Sequence, residues 1–348
     1  MKIDLLQPVD GSTTPPLQMY PWPQGADGKP AAIELMADDA ADLQADRTWP
    51  RPVRLAWSAT TDEPAGGDQT FDVDIWQPQG RDRPRAICQL KECQVELTNL
   101  LLGSSYCWKV MGRVNGRPAG ESAVGRFGTH TAPPRWIAVP GVTNVRDIGG
   151  WPLAPGGCIR QGLVYRSSEM DSHHEITPEG RRVLQEDLGI RTDLDLRGVS
   201  EPAAAVLDAA RVEWINVPVL PYEYIREPIV SAGYRRIFQV FADPVRYPIL
   251  VHCWGGADRT GTAIFLLNAL LGQAESLLAL DYELTSLSIW GVRSRHSDEF
   301  CALRKALAQL AGEAETADLS GQVERYLLSI GVTGKQIGTI RELLVEHG

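Results

Sequence analysis

The run Pro248-Ile249-Leu250-Val251-His252-Cys253-Trp254-Gly255-Gly256-Ala257-Asp258-Arg259-Thr260-Gly261 constrains this chain more than any other stretch. It opens with a short apolar segment suited to a strand buried on both faces, which implies a parallel sheet covered by helices. Gly255 and Gly256 let the backbone curl tightly, and a helix follows from about Thr260. Strand, loop and helix in that order gather backbone N–H groups at a helix N-terminus, a cradle for a dianion such as phosphate. Cys253 lies at the bottom of this cradle, where the surrounding N–H groups and the helix dipole suit a nucleophilic sulfur. Arg259 closes the ring with a two-pronged donor for two anion oxygens.

The flanking sequence fits that reading. From Arg135 onward, short apolar or alternating runs at Leu163–Tyr165, Arg191–Arg197, Val212–Val219 and Pro248–His252 predict strands. A helix capped by Thr177, with Glu179 in its first turn, falls between the first two. Apolar residues at three-and-four spacing predict helices over Thr262–Leu271, Ser276–Leu287, Asp298–Leu310, Gly321–Ser329 and Thr333–Glu346. Cys301 reads as a core residue of one of them.

The first third of the chain has a different rhythm. Val53–Trp57, Phe71–Trp76 and Val95–Leu97 alternate apolar and polar residues, and Gly66-Gly67, Gly80 and Asn115-Gly116 punctuate them. That spacing predicts an antiparallel sandwich, with Leu5–Pro8 as a first edge strand and Trp57 in the core. Most of Met1–Trp49 is rich in Pro, Asp and Gly and has no assignable element. Pro133-Pro134 makes a stiff connector. A chain of 348 residues has room for about two domains; the expected division is a sandwich over 1–131 and an α/β domain over 132–348.

The formal charge of −10 argues against nucleic acid and acidic membranes as general partners. Cys88, Cys93, Cys107, Cys158, Cys253 and Cys301 show neither metal-ligand spacing nor a disulfide framework, so no metal and no cofactor are expected. No run approaches the length of a membrane span, and residues 1–11 lack a leader pattern. The compartment stays open, with the cytoplasm favoured over export after loss of a leader.

The loop resembles that of the protein tyrosine phosphatase superfamily, particularly bacterial tyrosine and dual-specificity enzymes with His-Cys-x-x-Gly-Lys-Asp-Arg-Thr-Gly. Asn144–Gly150, Tyr165–Ser168, Asp193–Arg197 with Glu201, Asp281-Tyr282 and the terminal Tyr326–Leu344 segment resemble the same family, so the likeness spans about residues 136–348. Leu101–Val110 is similar to the tyrosine-containing corner and next strand of fibronectin type III modules. The resemblance implies a cysteine-phosphatase fold behind an all-β immunoglobulin-like sandwich. It also implies roles: Cys253 forms a phosphocysteine, Arg259 binds the phosphoryl oxygens, Thr260 offers its hydroxyl to the thiolate, and Trp254, Gly255, Gly256 and Ala257 line the loop. Asp258 is the implied general acid; capping its own helix is the plainer alternative, and Glu223 is the reserve acid. His252, Asp147, Arg166 and Asp195 are expected to brace the loop from beneath, and His173-His174 to be solvated.

Ala257 departs from the family pattern, which has Lys there. No lysine occurs between Lys109 and Lys305, so only arginines such as Arg166, Arg197 or Arg226 could supply that cation. Small phosphomonoesters, phosphotyrosine foremost, are therefore expected over polyphosphorylated inositides. A phosphoinositide or other non-protein phosphatase is the alternative enzyme. A phosphate-holding interaction protein is the alternative of another class, and the sandwich would then recognise protein or glycan.

Overall fold

Alternation of side chains across a strand forces the apolar half of each early segment to one face, and two such faces close on each other. The computed structural model describes residues 1–19, 46–61, 67–78, 80, 85–154, 156–199 and 201–347. The expected turn residue Gly66, and residues 20–45 of the N-terminal stretch, lie outside the described residues. Two compact units result, one from Met1–Met19 and Pro50–Ala138, the other from Tyr20–Trp49 and Val139–Gly348.

The first unit is an all-β sandwich. One sheet has the order Lys2–Gln7, Val53–Thr60, Gln94–Leu97; the other runs Ser12–Thr13, Gly125–Gly128, Ser105–Val114, Gln69–Trp76, Arg85–Leu90. Leu55, Trp57, Phe71, Val73, Trp108 and Val110 fill the space between them. Trp57 meets Phe71 edge-on at 5.4 Å, the favoured quadrupole arrangement. The Tyr106 hydroxyl accepts a hydrogen bond from the Leu101 N–H at 2.9 Å, locking the corner that leads into the Ser105–Val114 strand. The division between units falls at Ala138, seven residues past the expected boundary at Thr131 (138 − 131). Arg135 donates to the carbonyls of Leu100 and Asn99, and the Asn99 side chain brackets Ala138, so these residues stay tied to the sandwich.

The second unit carries a mainly parallel sheet. Its strands lie in the order Arg146–Asp147, Val164–Ser167, Ile249–His252, Thr192–Asp195, Glu213–Asn216. Ile249–His252 is parallel to both neighbours, and Ile249, Leu250 and Val251 have no solvent exposure. The helix that follows, Arg259–Leu270, is buried from Thr260 to Leu270, so it runs through the core rather than presenting one apolar stripe. Helices Pro228–Phe241, Glu275–Glu283, Asp298–Ala311, Leu319–Ser329 and Gly334–Leu344 complete the unit.

Three local expectations change. Glu275–Glu283 tightens into a 3₁₀ turn at Leu284–Leu287. The last helix stops at Leu344, where Arg160 draws the Leu343 and Val345 carbonyls to Nη1 and Nη2 and Val345–Glu346 pairs with Cys158–Ile159. Cys301 is exposed, because Phe300, Leu303 and Leu307 take the inward face and Cys301 sits about 100° around the helix from Phe300. Among the described residues no helix is long and apolar enough to cross a membrane.

Candidate active site

The loop leaves the sheet at the C-terminal end of its central strand, where open α/β sheets place their ligands. Cys253 is buried there. Three successive loop carbonyls are taken by donors from the surrounding scaffold. Trp254 O accepts from the Glu169 N–H at 2.8 Å, Gly255 O from Asn144 Nδ2 at 2.9 Å, and Gly256 O from Arg166 Nη2 at 2.6 Å. A trans peptide points its N–H opposite to its C=O, so the N–H groups of Gly255, Gly256 and Ala257 turn to the other side, inward. None of the three meets a protein acceptor among the described residues. Gly256 has φ +66°, and a Cβ there would stand 2.2 Å from the Ser167 carbonyl oxygen. Only glycine fits that turn.

The bracing residues form a buried ionic layer. Asp281 accepts from Arg146 Nε at 2.8 Å and also pairs with Arg166, and the two arginines are fully buried. Burial and the neighbouring Arg166 charge lower the Arg146 guanidinium to about 10, against the pull of Asp281. His252 lies 2.9 Å from Asp193 and 3.9 Å from Asp195. Burial alone favours its neutral ring, but the two carboxylates outweigh burial and raise it to about 9. His252 thus stands next to Cys253 in sequence, with its ring buried between two carboxylates that favour its protonated form. Asp195 is buried too, which works against its charge, yet His252 and Arg197 hold its carboxyl below the usual range.

Of the expected supports, Arg166 donates to the Gly256 carbonyl, while His252 and Asp195 meet each other and their own charged neighbours. The Asp147 carboxylate accepts from the Gly149 and Gly162 N–H groups at 2.7 Å each and fixes two turns of the scaffold. Glu223 is half-buried. Its neighbour Tyr222, at φ +59°, turns its hydroxyl onto the Asp258 carboxylate and against the Tyr282 hydroxyl at 2.9 Å.

Asp258 occupies the N-cap position of the Arg259–Leu270 helix with helical backbone angles and makes no side-chain capping bond. Its two oxygens are instead gripped by Arg293, Nε to Oδ1 at 2.9 Å and Nη2 to Oδ2 at 3.1 Å. The plainer capping alternative is thus replaced by a two-pronged pair with a residue 35 positions away. Arg259 reaches the buried carboxylate of Glu201, and Thr260 Oγ1 is buried with no hydrogen-bond partner among the described residues.

The arginines expected to compensate for Ala257 are engaged elsewhere. Arg166 serves Asp281 and the loop carbonyl, Arg197 is bound by Asp195, Asp171 and Glu169, and Arg226 lies at the surface against Gln309. Arg293 is a further cation at the loop, paired with Asp258. Nothing in the sequence marks it, because Trp290–Arg295 lies between helices without period or motif. His173 is likewise not simply solvated: its N–H and Nδ1 meet the buried Glu169 carboxylate, and its ring lies 4.5 Å from Trp254 and 5.6 Å from Trp290. Trp290 backs the loop, since a Cβ on Gly255 would strike its ring at 2.9 Å. Trp254, Trp290 and His173 form an aromatic cluster beside the Cys253 loop.

Residues 137–346 match a family model described as the tyrosine phosphatase family. A curated protein of Cupriavidus necator, named "Putative tyrosine-protein phosphatase", is 29% identical over 189 residues, covering 47% of this chain. The chain spans 65% of that relative's length. Among solved structures, the core catalytic domain of the PP-IP phosphatase SIW14 from S. cerevisiae, in complex with citrate, is similar at 20% identity. That match covers 37% of this chain and 75% of the other, with a TM-score of 0.28. The fibronectin type-III domain of human fibronectin type III domain containing protein 3 is similar at 16% identity, covering 23% of this chain and 72% of the domain, with a TM-score of 0.20.

Proposed function

Because this chain belongs to the tyrosine phosphatase family, we propose that it hydrolyses phosphomonoesters through a phosphocysteine on Cys253, with phosphotyrosine and other aryl phosphates favoured. The carrying observation is the row of three loop carbonyls held outward by Glu169, Asn144 and Arg166, which leaves three N–H groups for one dianion. Donors fixed in this way need no reorganisation when charge moves onto the equatorial oxygens.

In the first step the Cys253 sulfur attacks phosphorus. The S–P bond forms as the ester P–O bond breaks, and Asp258 gives its proton to the leaving oxygen. Arg259, steadied by Glu201, binds two equatorial oxygens as their charge develops. In the second step water attacks the phosphocysteine, Asp258 takes the water proton, and the S–P bond breaks. Thr260 Oγ1, buried with no hydrogen-bond partner among the described residues, offers its hydrogen bond to the departing sulfur. The Trp254, Trp290 and His173 cluster supports the aryl preference, since flat rings pack against such faces.

Cys253→Ser tests the reading. Turnover of p-nitrophenyl phosphate should vanish while inorganic phosphate still binds; retained turnover overturns the assignment. A substrate panel then separates the classes. Phosphotyrosine turnover should exceed that of polyphosphorylated inositols, and the reverse order would move the enzyme to non-protein substrates.

A further inference from the structure

We infer that Arg293 is a positioning residue for proton transfer: it holds the Asp258 carboxyl in place and stabilises the charge that appears there as the proton leaves. The inference rests on the reading of Asp258 as the acid.

Arg293 is itself fixed at three levels. Its backbone N–H donates to Ser286 Oγ at 2.8 Å, its carbonyl accepts from the same hydroxyl at 3.1 Å, and its Nη1 donates to the carbonyls of Trp290 and Val292. The remaining guanidinium edge, Nε with Nη2, faces Asp258. Tyr222 supplies a third donor to the same carboxylate, with Tyr282 behind it. On its own segment Asp258 is flanked by Cys253 and by Arg259, whose charge is shared with Glu201. Burial works against the Arg293 charge, but the Asp258 carboxylate outweighs burial and raises the guanidinium's affinity for its proton.

The usual fate of an aspartate at a helix start is to fold back onto the first-turn N–H groups. Here that bond is not made, and the donors that hold the carboxyl come from the Tyr222–Arg226 turn and from the Trp290–Arg295 connection. As Asp258 releases its proton to the leaving oxygen, it becomes a carboxylate already facing two guanidinium N–H groups. The pairing is strongest at that moment, so it lowers the barrier rather than merely tightening the ground state.

The test compares wild type, Arg293→Gln, Arg293→Lys and Asp258→Asn on p-nitrophenyl phosphate, whose leaving group needs little protonation, and phenyl phosphate, whose leaving group needs more. Arg293→Gln should lower kcat on phenyl phosphate roughly 10- to 100-fold, with a much smaller loss on p-nitrophenyl phosphate. Arg293→Lys should recover only part of this, because a point charge cannot reproduce the two-pronged grip. In the Asp258→Asn background, Arg293→Gln should add no further leaving-group-dependent loss. Equal losses on both substrates would reduce Arg293 to a structural role and overturn the inference. If Asp258→Asn alone shows no leaving-group dependence, the acid assignment fails instead, and the two failures are told apart.

Discussion

The sandwich and the catalytic unit both bury short strands, yet they spend their interiors differently. Between the sandwich sheets lie Leu55, Trp57, Phe71, Trp108 and Val110, all apolar in body, and the corner is tied by neutral hydroxyls such as those of Tyr106 and Thr129. Beneath the catalytic loop lie Arg146, Arg166, Asp193, Asp195, Arg197, His252 and Asp281, each no more than 5% exposed. An apolar core gains from area and tolerates swaps of similar volume. A buried ionic layer gains little net stability but makes each member depend on its partner. The price is accepted in the unit that must aim three N–H groups at one point, and not in the unit that only has to close two sheets.

The largest effect should come from breaking that layer. Asp281→Ala removes the carboxylate that Arg146 and Arg166 share and should cost about 3–5 kcal/mol in the catalytic unit. Urea unfolding followed by hydrogen exchange would check it: loss of protection should concentrate in Val164–Ser167 and Ile249–His252, with the sandwich strands unchanged. Loss spread evenly over both units would erase the contrast.

His252 should give the next largest effect, and one that depends on pH. Its folded value of about 9 lies above the ordinary 6.5, so folding favours the protonated ring. The resulting stability is fully present below about pH 6.5 and is lost as pH rises through 9, on the order of 3 kcal/mol across the window. Denaturation midpoints between pH 6 and 9.5 should fall in the wild type, and His252→Asn should flatten that slope while lowering stability at the acid end. A wild-type slope that survives in His252→Asn would place the titrating group elsewhere.

The parts of the site legible in the sequence are those whose cause is local. An apolar run, a pair of glycines and a helix start within fourteen positions, Pro248 to Gly261, specify a strand, a curl and an N-terminus without help from the rest of the chain. Gly256 can be read this way because its φ of +66° follows from the curl itself. Arg293, Tyr222 and Trp290 could not, because each reaches the loop from an irregular connection whose course is set by packing of distant helices. The same limit explains Cys301: three-and-four spacing shows that a helix has an inner face, but at the position next to Phe300 it does not decide which side the thiol takes. Ala257 was visible as a departure, yet nothing near it announced Arg293, which meets the loop at Asp258 from 36 residues downstream of Ala257 (293 − 257).

Gly256→Ala sharpens the comparison at a single turn. The added Cβ meets the Ser167 carbonyl and the backbone must leave φ +66°, so the loop has to open. The expected cost is about 1–3 kcal/mol, with near-complete loss of aryl phosphate turnover, because an opened loop no longer converges its N–H groups. A glycine turn in the sandwich, such as Gly116 at φ +76° with nothing within 4 Å of its Cβ position, should show only the backbone strain. Turnover measured for both variants separates strain that shapes a site from strain that merely reverses a chain.

The smallest expected effect lies at the sandwich corner. Tyr106→Phe keeps the ring, which stacks on Phe127 with centroids 5.5 Å apart, and removes the acceptor for the Leu101 N–H. A buried donor left unpaired costs about 1–2 kcal/mol, so thermal unfolding of the sandwich should shift downward by a few degrees. Turnover should stay at the wild-type level, since Tyr106 belongs to an apolar core that aims nothing at the loop. If turnover fell along with sandwich stability, the sandwich would be contributing to the geometry of the site, and its apolar interior would have to be counted with the ionic layer as part of what holds Cys253 in place.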